Sequence, residues 1–399
     1  MKKTFLSFLI MTVTLVNISL VNISNVQAAT TDDTSTSSTS TATIDNTIKV
    51  SLGTIRDIVI ENNLDIKNYY DSNKISVQEY YDARDTYKND SEPVQSNYTK
   101  TTTDALGNTT TTNDTTAYTS AVKNYNTEKS TYETKMDAYK KAQTAYDKKV
   151  ESVVHTAQQA YIDYLSNLSN TKLKEDTVKS NEKEEQVYKL QYENGFISKN
   201  KYTSLLQGNT TPVNTLEELK DTAELARIKL CNILGISPEE KVTFNTDITE
   251  DLKVISNINY NDDLAKMLEN NIGIKDQNTA IDDLKDAEDT YTNDDIYNYS
   301  VEKANNELKL LMNTAESDFK GQYNTLMNSY NSIKSSYDSF NTEKNTYNIM
   351  QTQYDYGFVS QKDVDDAKLT LDTNESALQT KKNALYVNYL SYLQMKEGY

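Results

Sequence analysis

Tyrosines recur every seven residues at Tyr118, Tyr125, Tyr132, Tyr139 and Tyr146, and Val153 and Ala160 continue the row. A second row, Val122, Met136, Val150 and Ala157, runs beside it. Two adjacent rows with a seven-residue period are the seam of a helix packed lengthwise on another, so the pattern predicts one helix from about Tyr118 to Glu193, about 110 Å long. The pattern returns later in the chain. Tyr323, Tyr330 and Tyr337 form one row, Leu326, Ile333, Phe340, Tyr347 and Tyr354 another, and Val364, Leu371, Leu378, Leu385 and Tyr392 line a last helix.

The breaks between these rows repeat as well. Gln191-Tyr192-Glu193-Asn194-Gly195-Phe196-Ile197-Ser198 is echoed by Gln353-Tyr354-Asp355-Tyr356-Gly357-Phe358-Val359-Ser360. In each, a glycine ends one helix and a serine caps the next, so Gly195, Phe196, Ser198 and Gly357, Phe358, Ser360 mark two helical hairpin tips. Two further blocks echo in the same order. Glu61-Asn62-Asn63-Leu64-Asp65-Ile66-Lys67 matches Glu269-Asn270-Asn271-Ile272-Gly273-Ile274-Lys275, and Asp82-Ala83-Arg84-Asp85-Thr86-Tyr87-Lys88-Asn89-Asp90 matches Asp286-Ala287-Glu288-Asp289-Thr290-Tyr291-Thr292-Asn293-Asp294. Three collinear matches are an internal duplication. The repeats are predicted at 49–250, with a polar insert at 89–117, and at 251–399. In the first, the helix after Gly195 is expected to break at Gly208-Asn209-Thr210-Thr211-Pro212, then run through Leu219, Ala223, Ala226, Leu230 and Leu234 to a stop at Gly235.

Composition explains why so few turns are needed. Only 36% of the 399 residues are hydrophobic, with 9 Gly and 3 Pro, which suits long helices better than a compact enzyme. Thirty tyrosines against 7 Phe and no Trp make the buried seams amphipathic. A net charge of −18 speaks against nucleic acid or an anionic membrane surface as a partner. One cysteine, Cys231, and one histidine, His155, exclude a disulfide framework and a Cys/His zinc cluster. No catalytic constellation, metal site or cofactor site is expected; His155 reads as a seam residue and Cys231 as a small buried hydrophobe. At the N-terminus, Lys2 and Lys3, an apolar run from Phe5 and Val26-Gln27-Ala28 predict a signal peptide over 1–28, followed by a disordered Ser/Thr-rich leader over 29–48.

From Val50 to Tyr399 these features together resemble the TolC-type outer-membrane efflux proteins. The resemblance rests on the Asn-Asn pair early in each half, Tyr-x-x-Gly-x-x-Ser at each tip, and Leu-x-x-Ala-x-x-x-Leu leading to Leu234-Gly235. It implies an all-α fold of duplicated long helical hairpins with coiled-coil packing, assembled as a homotrimer into a hollow α-barrel that narrows at the tips. It also implies a conduit for small molecules or proteins, docking a periplasmic-adaptor-like protein and an inner-membrane transporter at the tips. In that family a tip glycine is followed six and nine residues later by Asp. Here the matches are Asp363 and Asp366 after Gly357, which threefold symmetry would stack as two carboxylate rings at a pore aperture. First-turn acids favoured by the helix dipole are the competing account of the same residues.

The chain departs from the family twice. Where the family has a latching Asp in the first tip and Arg in the second, this sequence has Lys201 and Val359. Lys201 is therefore a candidate tip salt-bridge partner for Asp363 or Asp366 across neighbouring hairpins. The membrane strands are also missing: Thr292–Ser300 is too short for a spanning hairpin, and Thr101–Thr112 carries no lipid-facing stripe, so the β-barrel is expected to be reduced or absent and the insert to be a polar loop or small hairpin around Gly107. The envelope placement is then the outer membrane by resemblance, or the exterior of a single-membrane bacterium. Two functions compete: a TolC-like conduit, and an exported structural or adhesive coiled coil without channel activity. An enzyme is a distant third.

Overall fold

The computed structural model describes residues 47–208, 210–245 and 252–399. The predicted signal peptide, nearly all of the leader, and the boundary between the repeats lie outside the described residues. The chain opens with strand β1 (Ile48–Val50), which begins one residue inside the span assigned to the leader. Helices α1 (Ile55–Asn62) and α2 (Leu64–Asn89) follow. Next comes an antiparallel hairpin of β2 (Thr99–Thr103) and β3 (Thr109–Asn113). Helix α3 (Thr115–Glu193) is 79 residues long, or roughly 120 Å. The chain returns through α4 (Lys199–Gly208) and α5 (Thr210–Leu234), with Pro212 in the first turn of α5; residue 209, within the predicted break, lies outside the described residues. Strand β4 (Val242–Phe244) pairs in parallel with β1 and ties the ends of the first repeat together. The second repeat comprises α6 (Leu252–Ser256), α7 (Tyr260–Asn270), α8 (Ile272–Asp286), α9 (Asp294–Asp355) and α10 (Gln361–Lys396).

Each half is built to one plan. Asn63 and Asn271 separate a short helix from the next, and each side chain caps the new helix by accepting the amide of Ile66 or Ile274 at 3.1 and 3.0 Å. The second residue of each Asn-Asn echo is thus an N-cap. At the tips, Gly195 (φ 75°) and Gly357 (φ 76°) take the left-handed conformation that ends a helix. Phe196 and Phe358 then donate their amides to Gln191 and Gln353, each at 2.8 Å, closing the last turn identically in both hairpins.

The predicted rows are packed except at their tip end, where Tyr354 is exposed. Leu326 and Ile333 of α9 and Leu385 and Tyr392 of α10 are fully buried, joined by Phe319 and Leu378 in one continuous core. A second core around the short strands gathers Val50, Ile55, Val59, Ala157, Tyr161, Leu230 and Leu234. Cys231 lies within it as a small buried side chain. The tyrosine row of α3 faces α2. Tyr125, Tyr87, Tyr132, Tyr80 and Tyr139 alternate between the two helices with successive ring centroids 5.4, 5.4, 5.8 and 5.6 Å apart. The Tyr87 and Tyr125 hydroxyls meet at 3.1 Å, so the half-buried rings keep their polar ends satisfied.

The two halves part company at the crown. Asp82–Asp90 is helical to Asn89, whereas its echo Asp286–Asp294 leaves the helix, passes through a single 3₁₀ turn and restarts α9 on the Asn293 cap. Thr292–Ser300 accordingly holds no strand. Counted from the tip glycines, α3 starts 80 residues up and α9 only 63. The long helix of the first repeat is therefore about 25 Å longer than that of the second, and its upper end pairs with α2 and carries the β2/β3 hairpin.

Candidate functional site

The site of interest is the tip region and the seam between the two hairpins, where α3 packs against α10. Seams within each hairpin are mainly apolar; this one combines apolar contacts of Tyr386, Val387 and Leu165 with a series of polar ones. Near the top, the Ser391 hydroxyl lies 3.4 Å from His155 Nε2, which Gln159 also contacts at 2.9 Å. Burial pushes the His155 imidazole below its ordinary value, keeping it neutral in the seam. Further down, buried Asn383 donates to Ser166 Oγ at 2.7 Å, and Ser169 meets Ser376 at 3.5 Å. Below that the helices part around a groove of about 340 Å³ lined by Leu165, Lys172, Asp176, Lys368 and Asp372, then a smaller one of about 230 Å³ reaching Lys183 and Asp365.

The grooves close at two ion pairs beside the tips. Lys183 of α3 reaches Asp365 of α10 at 3.2 Å, and Lys362 of α10 reaches Glu184 of α3 at 2.5 Å. Lys362 also pairs with Asp366 one turn along its own helix at 3.0 Å. Hydrogen bonding to Glu184 and then to Asp366 holds the Lys362 ammonium above its usual value, and the Glu184 carboxyl is held down by Lys362. Exposed pairs of this kind contribute about 0.2–1 kcal/mol each, enough to bias two hairpins and weak enough to release them.

Each residue anticipated at the tips can now be placed. Asp363 is exposed and completes a capping box: the Ser360 hydroxyl donates to its carboxylate at 2.7 Å, and the Ser360 amide does so at 2.8 Å. These bonds hold the Asp363 carboxyl below its usual range. Asp366 is exposed and paired with Lys362. Within the chain, then, Asp363 and Asp366 answer to Ser360 and Lys362 rather than to Lys201. Lys201 is exposed, and its amide donates to the Ser198 cap of α4 at 3.3 Å. Phe196 and Phe358 stand 80% and 79% exposed at equivalent points of the two tips, Phe358 with the Tyr356 ring 6.4 Å away. The Lys362–Glu184 and Lys183–Asp365 links were not anticipated. Lys362 lies within the Asp-rich first turn that drew attention, but its partner sits eleven residues before Gly195 while Lys362 sits five after Gly357, a stagger that no local pattern encodes.

Among the described residues no helix is long and apolar enough to cross a membrane, and no group of three or more His, Cys, Asp or Glu is placed to hold a metal ion. No protein-family model and no curated protein matches the sequence. Solved structures do. The outer-membrane channel OprN aligns with a TM-score of 0.54 and 11% identity over 87% of this chain and 90% of its own. The Campylobacter jejuni CmeC outer membrane channel aligns with a TM-score of 0.54 and 12% identity over 87% and 85%. The open state of the Neisseria gonorrhoeae MtrE outer membrane channel gives 0.53 and 12% over 87% and 88%. The chain has the all-α, duplicated-hairpin fold of TolC-type outer-membrane efflux channels, the family its repeated motifs resemble.

Proposed function

We propose that this chain is the conduit of an envelope-spanning efflux or secretion system, a homotrimer whose long helices enclose a hollow barrel. The observation that carries the reading is the duplicated hairpin plan, which spans nearly the whole chain and coincides with that of outer-membrane channels at 85% or more of their own length. In this reading small molecules or proteins enter at the tips, where an adaptor protein and an inner-membrane transporter dock on the ends carrying Phe196 and Phe358. The decisive experiment is the mass of the mature protein in solution followed by conductance in planar bilayers. A trimer with discrete conductance is expected, and a monomer or dimer without channel activity overturns the proposal.

The polar contacts of the α3/α10 seam supply a way to open. Parting two apolar seams would expose oily surface at about 25 cal/mol per Å², whereas the serines, Asn383 and ion pairs of this seam exchange their contacts for water. In this reading Lys362–Glu184 and Lys183–Asp365 take the place of the family's tip latch. The variant Lys362→Ala with Lys183→Ala is expected to raise single-channel conductance several-fold with the trimer intact; unchanged conductance would remove the latch. Acid should act similarly. A carboxylate whose folded value is depressed stabilises the closed tip fully above the ordinary glutamate value of 4.5, and that contribution disappears as pH falls through the lower folded value. Opening should therefore rise below about pH 4.5, and less so in Glu184→Gln.

Asp363 and Asp366 fit carboxylate rings at the aperture because both are exposed on the tip-proximal turns of α10. Asp363→Asn with Asp366→Asn retains an acceptor for the helix cap while removing six charges from a trimer. Cation-over-anion selectivity, read from the reversal potential in a salt gradient, should fall several-fold at unchanged thermal stability. The alternative, an exported structural or adhesive coiled coil, draws on the crown: a hairpin of five-residue strands with every side chain exposed offers no lipid-facing band.

A further inference from the structure

The chain has one histidine, and the fold sets it between the two repeats. His155 lies on α3 among buried Val153, Val154 and Ala157, facing Ser391 of α10. Its two ring nitrogens are unequally served. Nε2 has the Gln159 amide nitrogen at 2.9 Å and the Ser391 hydroxyl at 3.4 Å, whereas Nδ1 is buried without a hydrogen-bond partner. With the Gln159 amide donating, Nε2 is the acceptor of a neutral ring and Nδ1 carries the proton. A second proton must land on Nε2. There it turns the Gln159 contact into donor against donor, and a rotated Gln159 amide relieves that clash without giving Nδ1 an acceptor. The cation therefore holds an N–H that only water can satisfy, and water reaches it only if the two helices part.

Nor does an anion stand ready to balance the charge. Among the described residues, the ionisable groups on the adjoining turns of α3 and α10 are engaged elsewhere. Glu151, one turn before His155, pairs with Arg56 of α1, and Lys148, a further turn back, reaches Asp276 of α8 at 3.3 Å. The next acid along α3 is Asp163, two turns on and exposed. On α10, Lys396 is held by Asp263 of α7 at 2.8 Å, and burial pushes the Tyr389 hydroxyl up, so that it stays protonated. Burial alone accounts for the depressed His155 imidazole.

We propose that His155 is a proton-sensitive latch between the repeats: one proton on its ring parts the upper α3/α10 seam in mild acid, while the tips stay shut. Neutral His155 supports the seam fully above the ordinary histidine value of 6.5, and because its folded value is lower, that support disappears as pH falls through the folded value. The tip answers in a separate window, since Lys362 holds the Glu184 carboxyl below its own ordinary value of 4.5. Two ends of one seam thus respond to different acidities. Both helices belong to one chain, so the latch stands apart from the trimer and from conduction.

Without a histidine tag the chain has a single imidazole, so the ring resonances of full-length protein isotopically labelled at histidine report this group alone. They should titrate between about pH 4.5 and about pH 6.5. Spin labels on Thr156→Cys and Ala384→Cys, at exposed positions of α3 and α10, measure the seam. Native Cys231 is buried and its thiol is pushed up by that burial, so it stays unlabelled. Doubly labelled chain diluted into unlabelled protein should give one narrow distance above the imidazole midpoint and a longer, broader one below it. His155→Gln keeps a polar side chain that gains no charge, and should hold the narrow distance on both sides. Titration outside that window, a distance unchanged across the midpoint, or the same lengthening in His155→Gln overturns the latch. If His155→Gln does not fold, the unsubstituted histidine's titration and the two distances decide alone.

Discussion

Replacing Gly235 with alanine should cost roughly 3 to 5 kcal/mol and lower the melting temperature by about 4 to 7 °C, whereas the same change at Gly357 should cost only about 1 to 2 kcal/mol. Both glycines have φ near 75°, so both variants pay the left-handed penalty. They differ in what a Cβ would meet. At Gly357 there is open space, but at Gly235 it would sit 2.5 Å from the carbonyl carbon and oxygen of Asn62 and 2.7 Å from the amide nitrogen of Asn63. Backbone cannot swing aside as a side chain can. The second repeat makes the same contact: a Cβ on Gly398 would fall 2.3 Å from Asn270 O and 2.8 Å from Asn271 N. Each Asn-Asn echo is thus the seat on which the last turn of its own repeat rests. In the first repeat Asn63 also donates to the Ile233 carbonyl at 2.8 Å. Thermal melts of Gly235→Ala, Gly398→Ala and Gly357→Ala test this, and equal losses at all three would refute it.

The second large effect is expected at the end of the α9/α10 core, where Tyr392 is buried. Buried Asp263 accepts a 2.8 Å hydrogen bond from Tyr392 and a 2.8 Å ion pair from Lys396. Burial and the Asp263 bond both push the Tyr392 hydroxyl well above its ordinary value, so it remains a donor at any physiological pH. Lys396→Met removes the countercharge and leaves a carboxylate whose side chain is only 12% exposed. A loss of roughly 2 to 4 kcal/mol follows, below the full cost of a severed buried pair because Asp263 lies in the first turn of α7, where the helix dipole supports it. Adding Asp263→Asn keeps an acceptor for Tyr392 without the charge and should restore at least half of the loss. Chemical denaturation of both variants measures this. If the double variant is as unstable as the single, the loss is one of Lys396 packing and not of an unpaired charge.

Legibility differed between tip and seam. Gly195, Gly357 and their capping serines were readable because a helix end leaves a local chemical mark, whereas Asp363 and Asp366 were singled out only through the family resemblance. The capping-box role of Asp363 was also local, a Ser-x-x-Asp run beginning at Ser360. The ion pairs Lys362–Glu184 and Lys183–Asp365 carried no such mark. In a chain this rich in charge, a lysine that bridges two hairpins looks the same in sequence as one that faces water. The parallel β1/β4 pair escaped notice for a different reason: three residues, such as Ile48-Lys49-Val50, are too short for any period to register.

Sequence alone determined the extent of the first long helix, most of the buried rows, the duplication and the two tips, since period, caps and glycines act within one or two turns of chain. Which helix fills a row was left to tertiary structure. The heptad of Tyr118 to Tyr146 specifies a partner without naming it, and packing assigned it to α2 through Tyr80 and Tyr87. The stagger between α3 and α10 and the seating of Gly235 on Asn62-Asn63 likewise depend on contacts between residues tens to hundreds of positions apart. A period encodes a face and a length, but the register between two faces exists only once both are packed.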